Sequence, residues 1–334
     1  MKFLSGLILF FLPLLGLFPG ARSQNNVLPP SETNLTAQFA GGQIHEHNYD
    51  PEDPLSVPEE PSRAEVVLSA IKMAYPDRIR TVEFYDGDWT IVVYNERFFW
   101  ADGRLLPEHL RHRAEEYSPL GFYNYPAALP PFAEASPEEN ARMREQEVRR
   151  LDTSIPVMMR SPHFFDTLWR SRNRVEAWDN VKTIRFLGIS VTVHYSILTQ
   201  LSLVEQRILR LANTNTAVRR WVDSIRIVEG WGWRDIAQTQ NRSYHAYGAA
   251  IDILPQNLGN QQTYWLWSSE YYPEWWNIPH TRRYHPPEEV IQIFESFGFI
   301  WGGKWARFDT MHFEYRPEIL ILNGIPLMNL QDLD

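Results

Sequence analysis

The segment Ser243-Tyr-His-Ala-Tyr-Gly-Ala-Ala-Ile-Asp252 is followed, further along the chain, by Asp309-Thr-Met-His-Phe-Glu-Tyr315. Asp252 falls in AAIDIL, whose β-branched and apolar flanks predict a strand. The alternation in MHFEY predicts another strand, with His312 and Glu314 on one face and apolar side chains on the other. Two strands that carry polar side chains within apolar sequence are therefore expected in the C-terminal half of the chain.

Two histidines and one carboxylate in these segments, His245, Asp252 and His312, are a sufficient set of protein ligands for a catalytic zinc ion. Such an ion keeps its fourth position open for water. Neither segment contains the helical pair of histidines four residues apart, so spacing alone leaves another interpretation open. In that interpretation the histidines are ordinary surface or core residues and the aspartate pairs with a basic group.

The sequence around these segments alternates helices with short strands, which indicates an α+β domain. Residues 189–212 predict a strand that runs into a helix, and SIRIVEGWGW (224–233) predicts a strand that ends in a turn. Residues 263–287 are unusually aromatic. We expect them to form either a cap on the core or part of a substrate groove.

The sequence before residue 150 predicts a small α/β N-terminal module over residues 64–150, of unassigned role and including a connecting segment. A helix is expected around Arg63–Ala74. Turn signals at Asp86-Gly87 and Asn95-Glu96 divide residues 80–107 into the strands of a hairpin or meander. The remaining residues, 151–334, are expected to form a second domain, which contains His245, Asp252 and His312.

The first 23 residues are typical of a removable signal peptide, because Lys2 precedes the apolar run Phe3–Phe18 and small residues follow it. This run is shorter than the roughly 20 residues that cross a bilayer, so we expect cleavage and no stable membrane anchor. Residues 24–63 are acidic and rich in proline and predict an extended tether. The expected location is outside the cytoplasm, in the periplasm or at the cell surface.

Composition argues against three classes of protein. Without residues 1–23 the chain has 30 basic and 41 acidic residues, and this excess of negative charge disfavours a nucleic-acid partner. The chain has no cysteine, so a disulfide framework and a lipid-modified cysteine are both ruled out.

The combined pattern SxHxxGxAxD, then WGGxW, then DxxHFE, resembles the M15 family of zinc peptidases. That family includes D-alanyl-D-alanine carboxypeptidases and phage L-alanyl-D-glutamate endolysins. The resemblance covers residues 224–315 and implies an α+β fold with a small central antiparallel sheet and flanking helices. It also implies that His245, Asp252 and His312 bind zinc and that Asp309 is the general base.

Four further residues are assigned roles with this resemblance in view. The family uses an arginine upstream of the first histidine to bind the substrate carboxylate or the oxyanion. Arg234 occupies the similar place, although Trp-Gly-Trp-Arg replaces the usual Tyr-Arg, and Arg242 is the alternative. Ser243 is expected to form a hydrogen bond within its turn or to the substrate. Glu314 is expected to orient a ligand histidine, and it is the second candidate for the base.

These observations predict a zinc peptidase that uses a metal-activated water to hydrolyse amide bonds in peptidoglycan peptides containing D-amino acids. Carboxypeptidase and endopeptidase activities both remain open. The alternative is a non-catalytic protein of the same fold that binds or organises the cell wall. The presence of three ligands and a base argues against this alternative.

Overall fold

The computed structural model describes residues 61–152 and 158–328. The predicted signal peptide, over residues 1–23, lies outside the described residues, as does almost all of the predicted tether over residues 24–63. Within the described part, no helix combines the length and the apolar character that a membrane crossing requires.

Nine helices and ten strands occur in the described part of the chain. The helices are α1 (Arg63–Ala74), α2 (Pro137–Leu151), α3 (His163–Leu168), α4 (Arg174–Asp179), α5 (Leu198–Ala212), α6 (Thr216–Ser224), α7 (Trp265–Ser269), α8 (Glu288–Ser296) and α9 (Pro317–Leu322). The strands are β1 (Ile79–Tyr85), β2 (Asp88–Val93), β3 (Glu96–Phe99), β4 (Leu106–Pro107), β5 (Val181–Phe186), β6 (Ile189–His194), β7 (Ile225–Glu229), β8 (Ala250–Pro255), β9 (Phe299–Trp301) and β10 (His312–Tyr315). Short 3₁₀ helices cover Glu108–Glu116, Tyr195–Ile197, Tyr244–Tyr247, Trp275–Asn277, His280–Arg282 and Gly302–Lys304.

The N-terminal module consists of one helix and an antiparallel meander. Helix α1 begins after Ser62, whose side chain accepts a hydrogen bond from the backbone of Glu65 while the Glu65 side chain bonds back to Ser62. Strands β1 to β4 pair in chain order, and the first turn places Asp86 and Gly87 at φ values of 50° and 78°, as a tight hairpin requires. The predicted helix and meander are thus present. The prediction that this module is α/β is wrong. Tight turns connect its consecutive strands, so the sheet is antiparallel and the module is α+β.

The central sheet has the strand order β7-β8-β10-β9, and all of its neighbouring strands are antiparallel. One face packs on a helix, where the ring of Phe313 in β10 stacks on Phe294 in α8 at 4.0 Å. The register places His312 opposite Asp252. The structure is therefore a mixed α+β fold with a small antiparallel sheet and flanking helices, as the sequence predicts.

The N-terminal module and the C-terminal part share one hydrophobic core. Buried Val67 and Ile71 of α1 belong to the same cluster as Ile319 and Leu320 of α9. The hydroxyl of Tyr75 also donates a hydrogen bond of 2.9 Å to Glu318. The domain boundary near residue 150 stays a prediction, and the shared core shows that the two segments are packed together.

The aromatic residues 263–287 form a second, smaller cluster. Its buried members are Trp265, Trp275, Ile278 and Phe308. Within this segment Trp265 and Trp275 are therefore buried in a cluster separate from the main core, whereas Trp267 and Tyr271 are more than half exposed. The choice between a cap on the core and a substrate groove stays a prediction. The start of the segment has a different role, because Tyr264 pairs with Asp309 through an isolated antiparallel bridge.

Candidate metal centre

The first histidine of the site is positioned by a short turn of 3₁₀ helix. The Ser243 hydroxyl accepts a hydrogen bond from the His245 backbone at 3.3 Å, and Gly248, with φ of 71°, ends the turn. His245 Nδ1 donates to the carbonyl oxygen of Gly230 at 2.6 Å. Because a carbonyl oxygen can only accept, this bond puts the proton on Nδ1 and leaves the Nε2 lone pair free to bind a metal.

The other two residues come from neighbouring strands. His312 in β10 lies opposite Asp252 in β8, and its Nδ1 is 2.9 Å from Asp252 Oδ1. His245 Nε2 is 3.2 Å from the same carboxylate oxygen and 3.2 Å from His312 Nδ1. The three side chains are buried, with exposed fractions of 2% for His245, 6% for Asp252 and 7% for His312.

Glu314 fixes the orientation of the second histidine. Its Oε2 atom lies 3.1 Å from His312 Nε2, and a carboxylate accepts, so Nε2 carries the proton and Nδ1 faces Asp252. The other oxygen of Glu314 lies 3.5 Å from the Arg316 guanidinium. Glu314 therefore has the position of a side chain that orients a ligand histidine.

This set of donor atoms fits zinc. A tetrahedral zinc ion with bonds of about 2.0–2.2 Å separates its ligand atoms by roughly 3.4 Å, and the three atoms here lie 2.9 to 3.2 Å apart. Two imidazole lone pairs and one carboxylate also converge in a buried space, an arrangement that is favourable only around a positive charge. His245, Asp252 and His312 are thus a group that could hold a metal ion.

The electrostatics of the site also favour a bound positive charge. Burial acts to raise the pKa of Asp252, but the charges and hydrogen bonds of His245 and His312 hold it well below its usual range. Burial acts to lower the pKa of His312, but Asp252 and Glu314 raise it well above its usual range. The pocket of ligand atoms therefore stabilises positive charge, whether a proton or a metal ion supplies it.

Asp309 lies beside this group with one oxygen free. Its backbone N–H donates to Gly302 at 3.0 Å, and the next residue, Thr310, bonds through backbone and hydroxyl to the carbonyl oxygen of Thr263. Asp309 Oδ1 is buried and has no hydrogen-bond partner among the described residues. Burial, followed by the charge of Asp252, raises the pKa of Asp309 to about 8. A carboxylate in this state suits a general base.

The two candidate arginines occupy different places. The Arg234 guanidinium lies 3.8 Å from Asp252 Oδ2, and half of its side chain is exposed. Arg242 instead donates to Asp166 at 3.0 Å and covers the ring of Trp233 at 4.2 Å. Of these two arginines, Arg234 is therefore the one in contact with the ligand set.

Two aromatic residues that the sequence analysis did not assign to the site lie close to it. The ring of Trp305 lies 5.5 Å from the His312 ring. Tyr264 pairs with Asp309 through an isolated β-bridge, and burial, followed by the charges of Asp309 and Asp252, raises the pKa of Tyr264 above its usual range. Trp305 belongs to the quoted WGGxW motif and could have been found from it, whereas no local pattern marks Tyr264 among its aromatic neighbours.

Comparison with known families yields two matches. Residues 237–315 match an M15 peptidase family model described as D-alanyl-D-alanine carboxypeptidase. Residues 67–122 match a model described as a domain of unknown function (DUF8518). The comparisons with curated proteins and with solved structures returned no match.

The first match contains the three candidate ligands, Asp309 and Glu314, and it begins three residues after Arg234. It supports the M15 resemblance over this segment and suggests peptidase activity. The second match covers most of the N-terminal helix and meander and assigns them no role.

Proposed function

We propose that this chain is an exported zinc peptidase that hydrolyses amide bonds in peptidoglycan peptides. The observation that carries the proposal is the convergence of His245 Nε2, Asp252 Oδ1 and His312 Nδ1 within 3.2 Å of one another. These atoms are buried, come from three separate elements, and lie inside the segment that is similar to M15 peptidases.

A bound zinc ion would supply a water of lowered pKa and stabilise negative charge on the substrate carbonyl. The protein supplies the rest of the chemistry. Asp309 Oδ1 accepts a proton from the attacking water and returns it to the departing amine. Arg234 is exposed and cationic, and it binds a carboxylate or the developing oxyanion beside Asp252. Glu314 holds the His312 ring in the tautomer that the site needs.

The rival function is that of a non-catalytic wall-binding or scaffold protein. It does not explain why Asp309 Oδ1 is buried without a hydrogen-bond partner among the described residues. A buried carboxylate oxygen without a hydrogen-bond partner costs on the order of 1–3 kcal/mol. A base needs a free oxygen aimed at its proton, and Asp309 Oδ1 is free in this sense next to the proposed ligands. The state of Asp309 therefore favours the enzyme.

The sequence features support a proposal for the location and for the native substrate. We propose that residues 1–23 direct export and are removed, that residues 24–63 act as a tether, and that the protein works in the periplasm or at the cell surface. Peptides of the cell wall are the corresponding substrates. Cleavage of a terminal residue and cleavage within a cross-bridge are both compatible with this site.

The test combines metal analysis with digestion of defined muropeptides and mass analysis of the products. The purified mature chain should contain about one zinc per molecule, and the peptide products should together gain the mass of one water. An Asp309→Asn variant serves as the matched control, since it keeps the ligands and loses the base. Zinc-loaded protein that binds sacculi and cleaves none of these peptides would favour the scaffold function.

A further inference from the structure

Two tryptophans and a valine form an apolar patch on the surface. Val175 and Trp178 lie three residues apart in α4 and therefore on one face of the helix, where they are 71% and 58% exposed. The ring of Trp178 lies 5.1 Å from the ring of Trp231, at an angle of 57°. We call these three residues the tryptophan patch. Exposed apolar side chains are ordinarily scattered singly, so a contiguous group of large ones indicates a binding surface.

The patch is joined to the turn that carries the first candidate ligand. The indole nitrogen of Trp231 donates to the carbonyl oxygen of Ala246 at 3.1 Å, and Ala246 follows His245 in that turn. Both chain neighbours of Trp231 also bond to His245. The Gly230 carbonyl oxygen accepts from the histidine ring, and the Gly232 N–H donates to the histidine carbonyl oxygen at 3.1 Å. The position of Trp231 relative to the metal centre is therefore fixed.

Arg234 continues this surface to the metal centre. An added Cβ at Gly232 would lie 3.1 Å from Nη1 of Arg234, so the guanidinium folds back beside the backbone that follows Trp231. The same guanidinium lies 3.8 Å from Asp252 Oδ2, and half of the Arg234 side chain is exposed. The tryptophan patch is thus continuous with the exposed cation of the candidate metal centre.

A pyranose sugar has the chemistry that such a patch recognises. One face of a sugar ring presents C–H bonds with small positive charges, and the face of an indole ring is negative. Indole rings also provide a large, rigid contact area at a low cost in conformational entropy. The peptides of peptidoglycan are attached to a strand of N-acetylated hexosamines, so the proposed substrate contains such rings.

The area of the patch suits a sugar better than a protein. The exposed part of Trp178 offers on the order of 100–150 Å². A stable interface with a folded partner or a second copy needs about 800 Å² from each side. Three side chains fall well short of that area, whereas they can cover one or two sugar rings.

We propose that the tryptophan patch binds an N-acetylhexosamine ring of the glycan to which the substrate peptide is attached. This inference rests on the proposed peptidase function and extends it. Trp178 and Trp231 hold the sugar on the His245 side of the metal centre, and the peptide runs from there past Arg234. The enzyme therefore prefers peptides that still carry their sugar over free peptides.

The first experiment compares two substrates of the mature chain. One is a stem peptide joined to the disaccharide of N-acetylglucosamine and N-acetylmuramic acid, and the other is the same peptide capped by the lactoyl group alone. The wild-type KM should be about three- to tenfold lower for the disaccharide peptide. Trp178→Ala should remove this difference and leave the kcat values and the KM of the lactoyl peptide unchanged. Equal wild-type KM values for the two substrates would overturn the proposal.

Two further variants separate stacking from a general effect of surface mutation. Trp178→Phe keeps an aromatic ring and should recover part of the preference for the disaccharide peptide. Phe84→Ala removes an exposed ring of the N-terminal meander and should keep the full preference. Stacking would be rejected if Trp178→Phe, at wild-type stability, behaved like Trp178→Ala. It would also be rejected if Phe84→Ala lost the preference to the same extent.

The third experiment measures sugar binding without any cleavage. N,N′-diacetylchitobiose, a neutral disaccharide, is titrated calorimetrically into the wild type and Trp178→Ala, and the variant should bind about three- to tenfold more weakly. A wild-type chain that shows this difference and cleaves neither peptide would refute the proposed function and leave the sugar site in place. A chain that cleaves both peptides and binds the disaccharide equally in both forms would refute the sugar site alone. A dimer in sedimentation that Trp178→Ala abolishes would assign the patch to a second copy and also overturn the proposal.

Discussion

Asp252 and His312 lie directly opposite one another across the antiparallel pair β8–β10, with Oδ1 of the aspartate 2.9 Å from Nδ1 of the histidine. This pairing makes the candidate metal site a property of strand register. A slip of one residue in either strand would turn its ligand to the opposite face of the sheet. The apolar face below, where Phe313 stacks on Phe294, holds the register in place.

The first prediction concerns metal content. His312→Ala should reduce the zinc bound to the purified chain to well below one ion per molecule, because two remaining ligands hold zinc poorly. Mass spectrometry of metals in the dialysed protein is the measurement. His112→Ala, which removes an exposed histidine, should retain wild-type zinc. Full zinc in both variants would place the metal elsewhere.

The second prediction separates the base from the residue that orients a ligand. Asp309→Asn should keep zinc and lower kcat by about a hundred- to ten-thousand-fold, the usual contribution of a general base. Glu314→Gln should instead weaken zinc binding about ten- to hundred-fold, because His312 loses its orienting acceptor. Zinc titration and peptide cleavage are measured on both variants. If Glu314→Gln keeps its zinc and loses turnover while Asp309→Asn stays active, the base is Glu314.

The third prediction concerns the end of the turn that carries His245. Gly248 has φ of 71°, and an added Cβ would lie 2.7 Å from the His194 backbone nitrogen. Gly248→Ala should therefore lower the free energy of unfolding by roughly 2–4 kcal/mol, from strain and overlap together.

A matched control exists for this substitution. Gly188 also has a positive φ, of 79°, but an added Cβ there meets nothing within 4 Å. Gly188→Ala should cost only about 1–2 kcal/mol, from strain alone. Urea unfolding of both variants is the measurement, and equal losses would show that the contact with His194 does not matter.

The fourth prediction concerns acid stability. His194 is buried, its ring nitrogens contact Ser196 and the Trp169 carbonyl oxygen, and burial, followed by the charge of Arg78, lowers its pKa to about 3. In the unfolded chain the pKa of histidine is about 6.5, so below that pH the unfolded state binds more protons. The free energy of unfolding should therefore fall between pH 6.5 and 3, by about 2 kcal/mol at pH 5.

Variants of histidine isolate this contribution. Urea unfolding at pH 7.5 and pH 5 should show a smaller acid-induced loss for His194→Gln, which has no titrating ring, than for the wild type. His112→Gln, at an exposed position, should keep the wild-type loss. An unchanged loss in His194→Gln would exclude this histidine as the acid-sensitive group.

The fifth prediction tests a buried ion pair behind the site. Lys304 Nζ lies 2.5 Å from Glu295 Oε1, and their side chains are 0% and 5% exposed. Tyr125, from the N-terminal segment, donates to the same carboxylate oxygen. Lys304→Met should lower the free energy of unfolding by about 3–5 kcal/mol, because Glu295 is left buried without a cation. The double variant Lys304→Met, Glu295→Leu should recover part of this loss in thermal or urea unfolding, and a single variant as stable as the wild type would contradict the prediction.

Local patterns in the sequence determined a large part of this structure. The alternation of MHFEY and the apolar flanks of Asp252 predicted strands β10 and β8, and both are present. The prediction of a helix at Arg63–Ala74 is confirmed by α1 with the same bounds. Periodicity and capping depend on residues close in the chain, so these features can be recognised without any tertiary contact.

The three candidate ligands could be named from their motif, but only the fold shows how they are held. The carbonyl oxygen of Gly230 selects the tautomer of His245, and the choice between Arg234 and Arg242 depends on which guanidinium reaches Asp252. Neither fact has a local signature. Both follow from how the loop after β7 folds back beside β8.

The sequence by itself determined the secondary structure around the motifs, the set of candidate ligands and the acidic character of the chain. The tertiary structure decided that the N-terminal helix shares a core with α9 and that Asp309 has a free buried oxygen. These features come from residues far apart in the chain, whose contacts form only when the apolar faces of helices and sheets are buried together. Local periodicity specifies which face is apolar, and long-range packing specifies what that face meets.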